Sequence, residues 1–243
     1  RQLLYKLSRF SPVHTALRKV SYAVLWRLPY RFKYGAFNRV LRGVSPYKLV
    51  KEGDTVVQVG APWDILKSGR SRSIHFAYSV GSSGRVYVIE PVSESIEAMR
   101  SVADSLELDC IVQIPFGAWS HRDTLKFLID PVHPAANLVD EVFVESRQDR
   151  GSFTEKSVEV DAISSLLEEH AVGVIRVLSL TTNGSELKIL SGVGPSLLSR
   201  TEYISVIDDP RENAGYDALG FEFSGEDDRG FLLKNRKFSD FIP

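Results

Sequence analysis

The sequence predicts an α/β fold, a mostly parallel sheet with crossover helices on both faces, preceded by a basic helical segment. Three observations predict it. From Gly53 onward short β-branched runs alternate with amphipathic stretches, the pattern of strands joined by crossover helices. The run Val56–Ala61 reads as a buried strand closed by a glycine turn at Gly60, and the next strand ends on Glu90, 30 residues after Gly60. The charges are also segregated. Residues 1–51 carry 12 Lys+Arg and no Asp or Glu, leaving 18 Lys+Arg against 31 Asp+Glu, a charge of −13, on residues 52–243. The net charge of −1 hides this division, which sets the expected boundary between a basic amphipathic segment (1–51) and the α/β domain (52–243).

The elements follow in order. Leu3, Leu4 and Leu7, then Ala16, Val20, Ala23 and Val24, recur at three- and four-residue steps and predict helices, with Ser11-Pro12 as the break between them. Thr55–Val59 is a strand, 71–80 a helix, 85–90 a strand, 93–106 a helix and 110–114 a strand. Further strands are expected over 124–129, 157–160 and the strongly apolar 174–180. A helix over 162–169 precedes that last strand and another over 185–191 follows it. The chain closes with strands at 203–207, 220–224 and 231–234. Residues 130–153 fit no period, and a loop of that length inside a compact domain is usually functional.

Composition excludes several classes. A chain of 243 residues that is 43% hydrophobic and 25% charged is globular rather than disordered. Its single cysteine, Cys110, leaves no disulfide framework and no cysteine-based zinc site. The five histidines show no metal-binding spacing, so no metal site is expected. The longest uncharged run of the basic segment, 20–26, is far shorter than the ~18 residues of a membrane span.

The glycine turn and the acidic strand end locate the chemistry. In a doubly wound sheet, ligands bind at the carboxyl ends of the strands, and an acidic residue ending the second strand accepts from ribose hydroxyls. Gly60 and Glu90 fit those positions. No G-x-G-x-x-G is present, and Pro62 removes an N–H that a pyrophosphate would use. The pattern therefore favours a nucleoside without phosphates over a dinucleotide.

From about Lys51 to Lys237 the sequence resembles the FkbM-type S-adenosylmethionine-dependent methyltransferases. The resemblance rests on VVQVGAPWD (56–64), GRVYVIEP (84–91), VQIPFGAWS (112–120), VEVDAISSLLEEH (158–170), LSLTTNGSELKILSGV (178–193) and GYDALGF (215–221). It implies a class I methyltransferase-like, Rossmann-like sheet of seven strands, S-adenosylmethionine as cofactor, and O-methylation of a hydroxyl on a sugar, glycan or small metabolite. By the same resemblance Gln58 and Gly60 contact the methionine portion, Glu90 the ribose, and Trp63 or Trp119 the adenine, with Gly117 and Ala118 lining its pocket. His121, His133 or Asp208 supplies the base. The departures fall on the ligand side: Gln58 replaces an Asp, Pro62-Trp63-Asp64 an Asn-x-Gly, and Thr181–Glu186 an Asp-Val-Glu-Gly-Ala-Glu. The first and last remove carboxylates, although Gln58 and Asn183 remain acceptors and Asp64 stands ready either to replace one or to cap the following helix. An alternative expectation is an inactive methyltransferase-like binding or scaffold module in a larger assembly.

The basic segment has three readings. It is a membrane-surface element attracted to anionic lipid, a helical layer docked on the acidic body or on an acidic protein partner, or, ranked last, a nucleic-acid contact. The expected location is cytoplasmic, with the periphery of a membrane surface as the variant of that expectation.

Overall fold

A computed structural model describes residues 27–131, 134–142 and 153–238. The helices predicted over residues 3–24, His133 and half of the aperiodic loop lie outside the described residues.

The described chain opens on α1 (Tyr30–Leu41). Then come β1 (Thr55–Val59), α2 (Trp63–Lys67), α3 (Arg72–Val80), β2 (Arg85–Ile89), α4 (Ser93–Leu106) and β3 (Ile111–Ile114). Next are β4 (Gly117–Trp119), β5 (Asp123–Ile129), β6 (Leu138–Val139), β7 (Thr154–Ala162), α5 (Ile163–Leu166) and β8 (Ile175–Leu180). The last part runs through α6 (Glu186–Ser191), α7 (Pro195–Ser199), β9 (Thr201–Val206), α8 (Gly215–Ala218), β10 (Phe221–Glu226) and β11 (Phe231–Asn235).

Among the described residues two sheets form. The main sheet has seven strands in the order β10-β11-β9-β8-β1-β2-β3. Its pairs from β9 to β3 are parallel, and β11 runs antiparallel between β9 and β10. The order reverses between β1 and β8, and that is the switch point where such sheets open a crevice beyond their strand ends. This is a class I methyltransferase-like α/β fold. The smaller sheet, β4-β7-β5-β6, takes the strands predicted at 124–129 and 157–160 out of the main sheet.

The strand pleat sorts side chains to two cores. Val56, Val86, Val88 and Val177 face one core, shared with α1, α3 and α4, while Val57, Val59, Ile89, Leu178 and Leu180 face the other, shared with the small sheet, α6 and α7. α4 shows why its sequence is helical: Met99, Val102, Ala103 and Leu106 recur on one buried side. The helix predicted over 162–169 is interrupted. α5 ends at Leu166, a 3-10 turn spans Glu168–His170, and Ala171 adopts φ 46 to direct the chain into β8.

The described part of the basic segment is built into the first of these cores. Tyr34 is fully buried with its hydroxyl donating to the Leu66 carbonyl at 2.7 Å, and Lys33 donates to the Lys67 carbonyl at 2.6 Å. Tyr47 and Val50 belong to the same buried cluster.

Candidate functional site

The carboxyl ends of β1, β2 and β8 meet at Gly60. Its φ is +83, and a Cβ there would come within 2.7 Å of the Thr181 carbonyl, so only glycine lets the two strand ends approach this closely. Gln58 supports the turn from below. It is 1% exposed, and its Nε2 donates toward the Val59 carbonyl (2.8 Å), the Gly60 carbonyl (3.0 Å) and Thr181 Oγ1 (3.0 Å). An amide is suited to this place, whereas a carboxylate would face two carbonyl oxygens. The side chain expected to contact the cofactor's methionine portion is thus turned inward on the backbone.

Glu90 ends the second strand and joins it to the same turn. Its Oε2 accepts from the Ala61 N–H at 2.7 Å and its Oε1 from the Val92 N–H at 3.0 Å. Burial pushes its pKa up, and these two N–H donors act in the opposite direction. Each oxygen has one further lone pair for a ligand donor.

Above the turn lies a cavity of about 70 Å³ lined by Gly60, Glu90, Gly117, Ala118, Thr182, Asn183 and Ser185, with the segment from Pro134 to Val139 over it. Asn183, left-handed at φ 54, ties that segment down: its Nδ2 donates to the carbonyls of Ala135 (3.0 Å) and Asn137 (2.8 Å). Two hydroxyls of the lining have no hydrogen-bond partner among the described residues, Thr182 Oγ1 and Ser185 Oγ, and Ser185 is 1% exposed.

The structure brings Gly60, Glu90, Gly117, Ala118 and Asn183 together around this cavity and, of the other expected residues, leaves Gln58, Trp63, Asp64, Trp119, His121 and Asp208 outside its lining, while His133 lies outside the described residues. Trp63 lies in the first turn of α2 with Lys67 Nζ 4.6 Å from its ring centroid, and Asp64 follows it in the same turn. Trp119 is buried in the core. His121 is exposed between β4 and β5, 2.9 Å from Ser120 Oγ and 3.6 Å from Asp123. Asp208 is exposed just past the end of β9.

Glu186 is a titratable group that sequence reasoning did not single out. It is fully buried at the start of α6 and accepts from the N–H groups of Thr182 (3.2 Å) and Gly184 (2.9 Å). Burial and the nearby Asp208 charge push its pKa up to about 7. Thr182 and Ser185 carry no sequence signature of ligand contact. Their signal is the unsatisfied hydroxyl, which only the fold reveals.

A sequence profile described as the methyltransferase FkbM domain matches residues 58–219. No curated protein matches the chain. Among solved structures the chain is similar to methyltransferase FkbM from Methylobacillus flagellatus KT, with 14% identity and a TM-score of 0.40 over 88% of this chain and 58% of that one. It is also similar to the fibrillarin pre-rRNA processing protein of Methanococcus jannaschii, with 15% identity and a TM-score of 0.43 over 86% of this chain and 77% of that one. A third is Aeropyrum pernix fibrillarin in complex with natively bound S-adenosyl-L-methionine, with 13% identity and a TM-score of 0.39 over 86% and 75%.

Proposed function

The chain belongs to the FkbM methyltransferase domain family, and from that premise we propose that it methylates a hydroxyl oxygen of a sugar, glycan or small metabolite with S-adenosylmethionine. The observation that carries this reading is the pair of unpartnered hydroxyls, Thr182 Oγ1 and Ser185 Oγ, in the same lining as the Glu90 carboxylate and the Gly60 turn. Buried polar atoms are normally paired, so two unpaired ones beside a strand-end carboxylate suit a ligand rich in hydroxyl and amino groups.

The lining fits the cofactor in chemistry. Glu90 is the acceptor for ribose hydroxyls, Gly117 and Ala118 offer backbone and little side chain to a base, and Thr182 and Ser185 meet the polar remainder. When bound, the cofactor supplies an activated methyl group on a sulfonium sulfur. At about 70 Å³ the cavity is well below the ~300 Å³ at which small-molecule pockets begin, so room for a nucleoside comes from displacing the segment from Pro134 to Val139. Asp208 is the candidate proton acceptor kept in this reading, because it follows β9 on the carboxyl side of the sheet.

Calorimetry with S-adenosylmethionine and S-adenosylhomocysteine tests the reading. Micromolar binding is expected, weakened about tenfold in Thr182→Val and Ser185→Ala, while both variants keep or gain thermal stability because each loses an unsatisfied buried hydroxyl. Absence of heat and of any thermal shift at millimolar ligand removes the enzyme reading and leaves a binding or scaffold module.

We also propose that α1 lies against an anionic lipid surface. Phe32 (65% exposed), Val40 (71%) and Val44 (36%) are three of the four exposed large hydrophobics among the described residues. They stand among the exposed Arg31, Arg39 and Arg42, and no acidic residue occurs before Glu52. Apolar side chains interleaved with arginine on one helix face are the composition of an interfacial helix.

A further inference from the structure

A second cavity, of about 460 Å³, opens beside the first and shares Pro62, Ala135, Thr181 and Asn183 with it as a common wall. Its size is within the range of small-molecule sites. Phe37 and Leu41 of α1, with Ile65 and Ile207, give it apolar walls, so the basic segment builds part of this cavity.

The charged groups at the cavity compensate one another. Arg72, 2% exposed and outside the lining, is held by the carboxylates of Asp227 (2.8 Å) and Asp228. Arg229 lies 3.6 Å from Asp228 Oδ2 and donates to the Arg70 carbonyl, and the Arg70 side chain is itself engaged. Two guanidinium groups thus face two carboxylates, and no excess charge is left to draw an ion. On the common wall Thr181 Oγ1 donates to the Val59 carbonyl at 3.0 Å, and Asn183 Nδ2 is spent on the carbonyls of Ala135 and Asn137. Such a lining favours a ligand that buries apolar surface and carries no charge.

One polar atom is left over. Among the described lining residues, His75 carries the buried side-chain atom without a hydrogen-bond partner, its Nδ1, and the whole residue is buried. Its Nε2 lies 3.2 Å from the Gly69 carbonyl, so Nε2 carries the proton and Nδ1 is an acceptor. Burial pushes the His75 pKa down to about 4, and the neutral ring keeps that acceptor at pH 7. The basic segment also fixes the ring. Tyr34 and Tyr47 pack against it with centroids 5.3 and 5.7 Å away, and Lys33 packs on the Gly69 turn, where a Cβ would come within 2.9 Å of Lys33 Cβ. A buried acceptor held this firmly and left unpaired suits a ligand that brings a donor.

We propose that this second cavity takes the acceptor substrate and that this substrate is an uncharged alcohol or phenol with an apolar body, its hydroxyl donating to His75 Nδ1. The acceptor role rests on the methyltransferase reading, whereas the ligand class stands on the lining.

The test uses the whole chain and binding rather than turnover. Calorimetry compares 2-naphthol with its methyl ether, which has no donor, with naphthyl phosphate, which is charged, and with glucose, which has hydroxyls but no apolar body. 2-Naphthol is expected to bind at least tenfold more tightly than each of the three, with an affinity that high salt leaves unchanged. His75→Gln, which can still reach the Gly69 carbonyl but has no atom at the Nδ1 position, is expected to bring 2-naphthol down to the level of its ether. Leu41→Trp, which fills the cavity from α1 and leaves His75 in place, is expected to weaken both at least tenfold. Thermal melting checks that each variant folds, and where His75→Gln does not, Leu41→Trp and the preference for 2-naphthol over its ether decide. No binding of 2-naphthol at millimolar concentration, equal or tighter binding of a comparison compound, or an affinity unchanged in either folded variant overturns the proposal, and cofactor binding in the same protein leaves the methyltransferase reading standing. The 2-naphthol titration is repeated with saturating S-adenosylhomocysteine. Equal or tighter binding is expected, and mutual exclusion overturns the acceptor role. Binding of 2-naphthol by a protein that binds no cofactor overturns that role and the methyltransferase reading together, and keeps the apolar hydroxyl site.

Discussion

At Gln58 and Glu90 the side chains expected to hold a ligand hold the backbone first. Gln58 satisfies the carbonyls of the first turn and Glu90 its N–H groups, so the turn is fixed before any ligand arrives. Glu186 does the same for the turn after β8, at a measurable cost, because its carboxyl is fully buried and its pKa stands near 7 rather than at the usual 4.5. The folded protein therefore binds this proton more tightly than the unfolded chain does. The stability associated with it is full below about pH 4.5 and is lost as pH rises through about 7, by roughly 3 kcal/mol at ~1.4 kcal/mol per pKa unit. Glu186→Gln removes the titration. Denaturant unfolding between pH 4.5 and 8 is expected to show the wild type losing stability relative to the variant across that window, and parallel curves would refute the assignment. At this scale legibility followed spacing. Gly60 and Glu90 were readable because a strand end and its successor stand at a fixed distance in sequence, whereas the hydroxyls of Thr182 and Ser185 become conspicuous only when the fold leaves them unpaired. Arg70 and Arg229 are 159 residues apart in sequence, and no local pattern announces that they line one cavity.

Among the elements, α4 and the central strands β1, β2 and β8 were legible because each carries an unbroken period of 3.6 or a run of buried β-branched residues. The small sheet was not. A strand pattern reports which face is buried but not which sheet the strand joins, and β6, only two residues long, is below any period. Yet β6 and the 3-10 turn before it, Pro134–Ala136, are the pieces that lie over the cavity beside Gly60 and Glu90. Asn183 holds them by two hydrogen bonds, each worth ~1 kcal/mol net. Asn183→Gly keeps the left-handed backbone conformation and deletes both bonds. Amide exchange across 134–139 is expected to quicken about tenfold, with faster cofactor association by stopped flow. Exchange and association rates equal to those of the wild type would show that Asn183 does not hold the segment closed.

For the whole molecule the charge division visible in the sequence becomes a division of surfaces. α1 buries Lys33, Tyr34 and Asn38 on the body, lends Phe37 and Leu41 to the wall of a cavity that Pro62 and Asn183 also line, and exposes Phe32 and Val40 with the arginines between them. One helix thus joins the wall of a cavity to an outward apolar and cationic face. A basic residue near an anionic bilayer gains ~1 kcal/mol, and this attraction fades beyond the Debye length of about 10 Å at 0.1 M salt. The apolar part of the contact is insensitive to salt. Co-flotation with vesicles containing phosphatidylserine is therefore expected at low ionic strength and reduced but not abolished at 0.5 M salt, with weaker flotation on neutral phosphatidylcholine vesicles that salt does not change. Phe32→Ser with Val40→Ser should remove the salt-resistant part. Charge reversal of Arg39 and Arg42, which make no ion pair among the described residues and whose loss leaves Tyr34 and Lys33 in place, should remove the salt-sensitive part. Equal flotation with neutral and anionic vesicles, or none with either at low salt, would reject the lipid surface as the partner of this face.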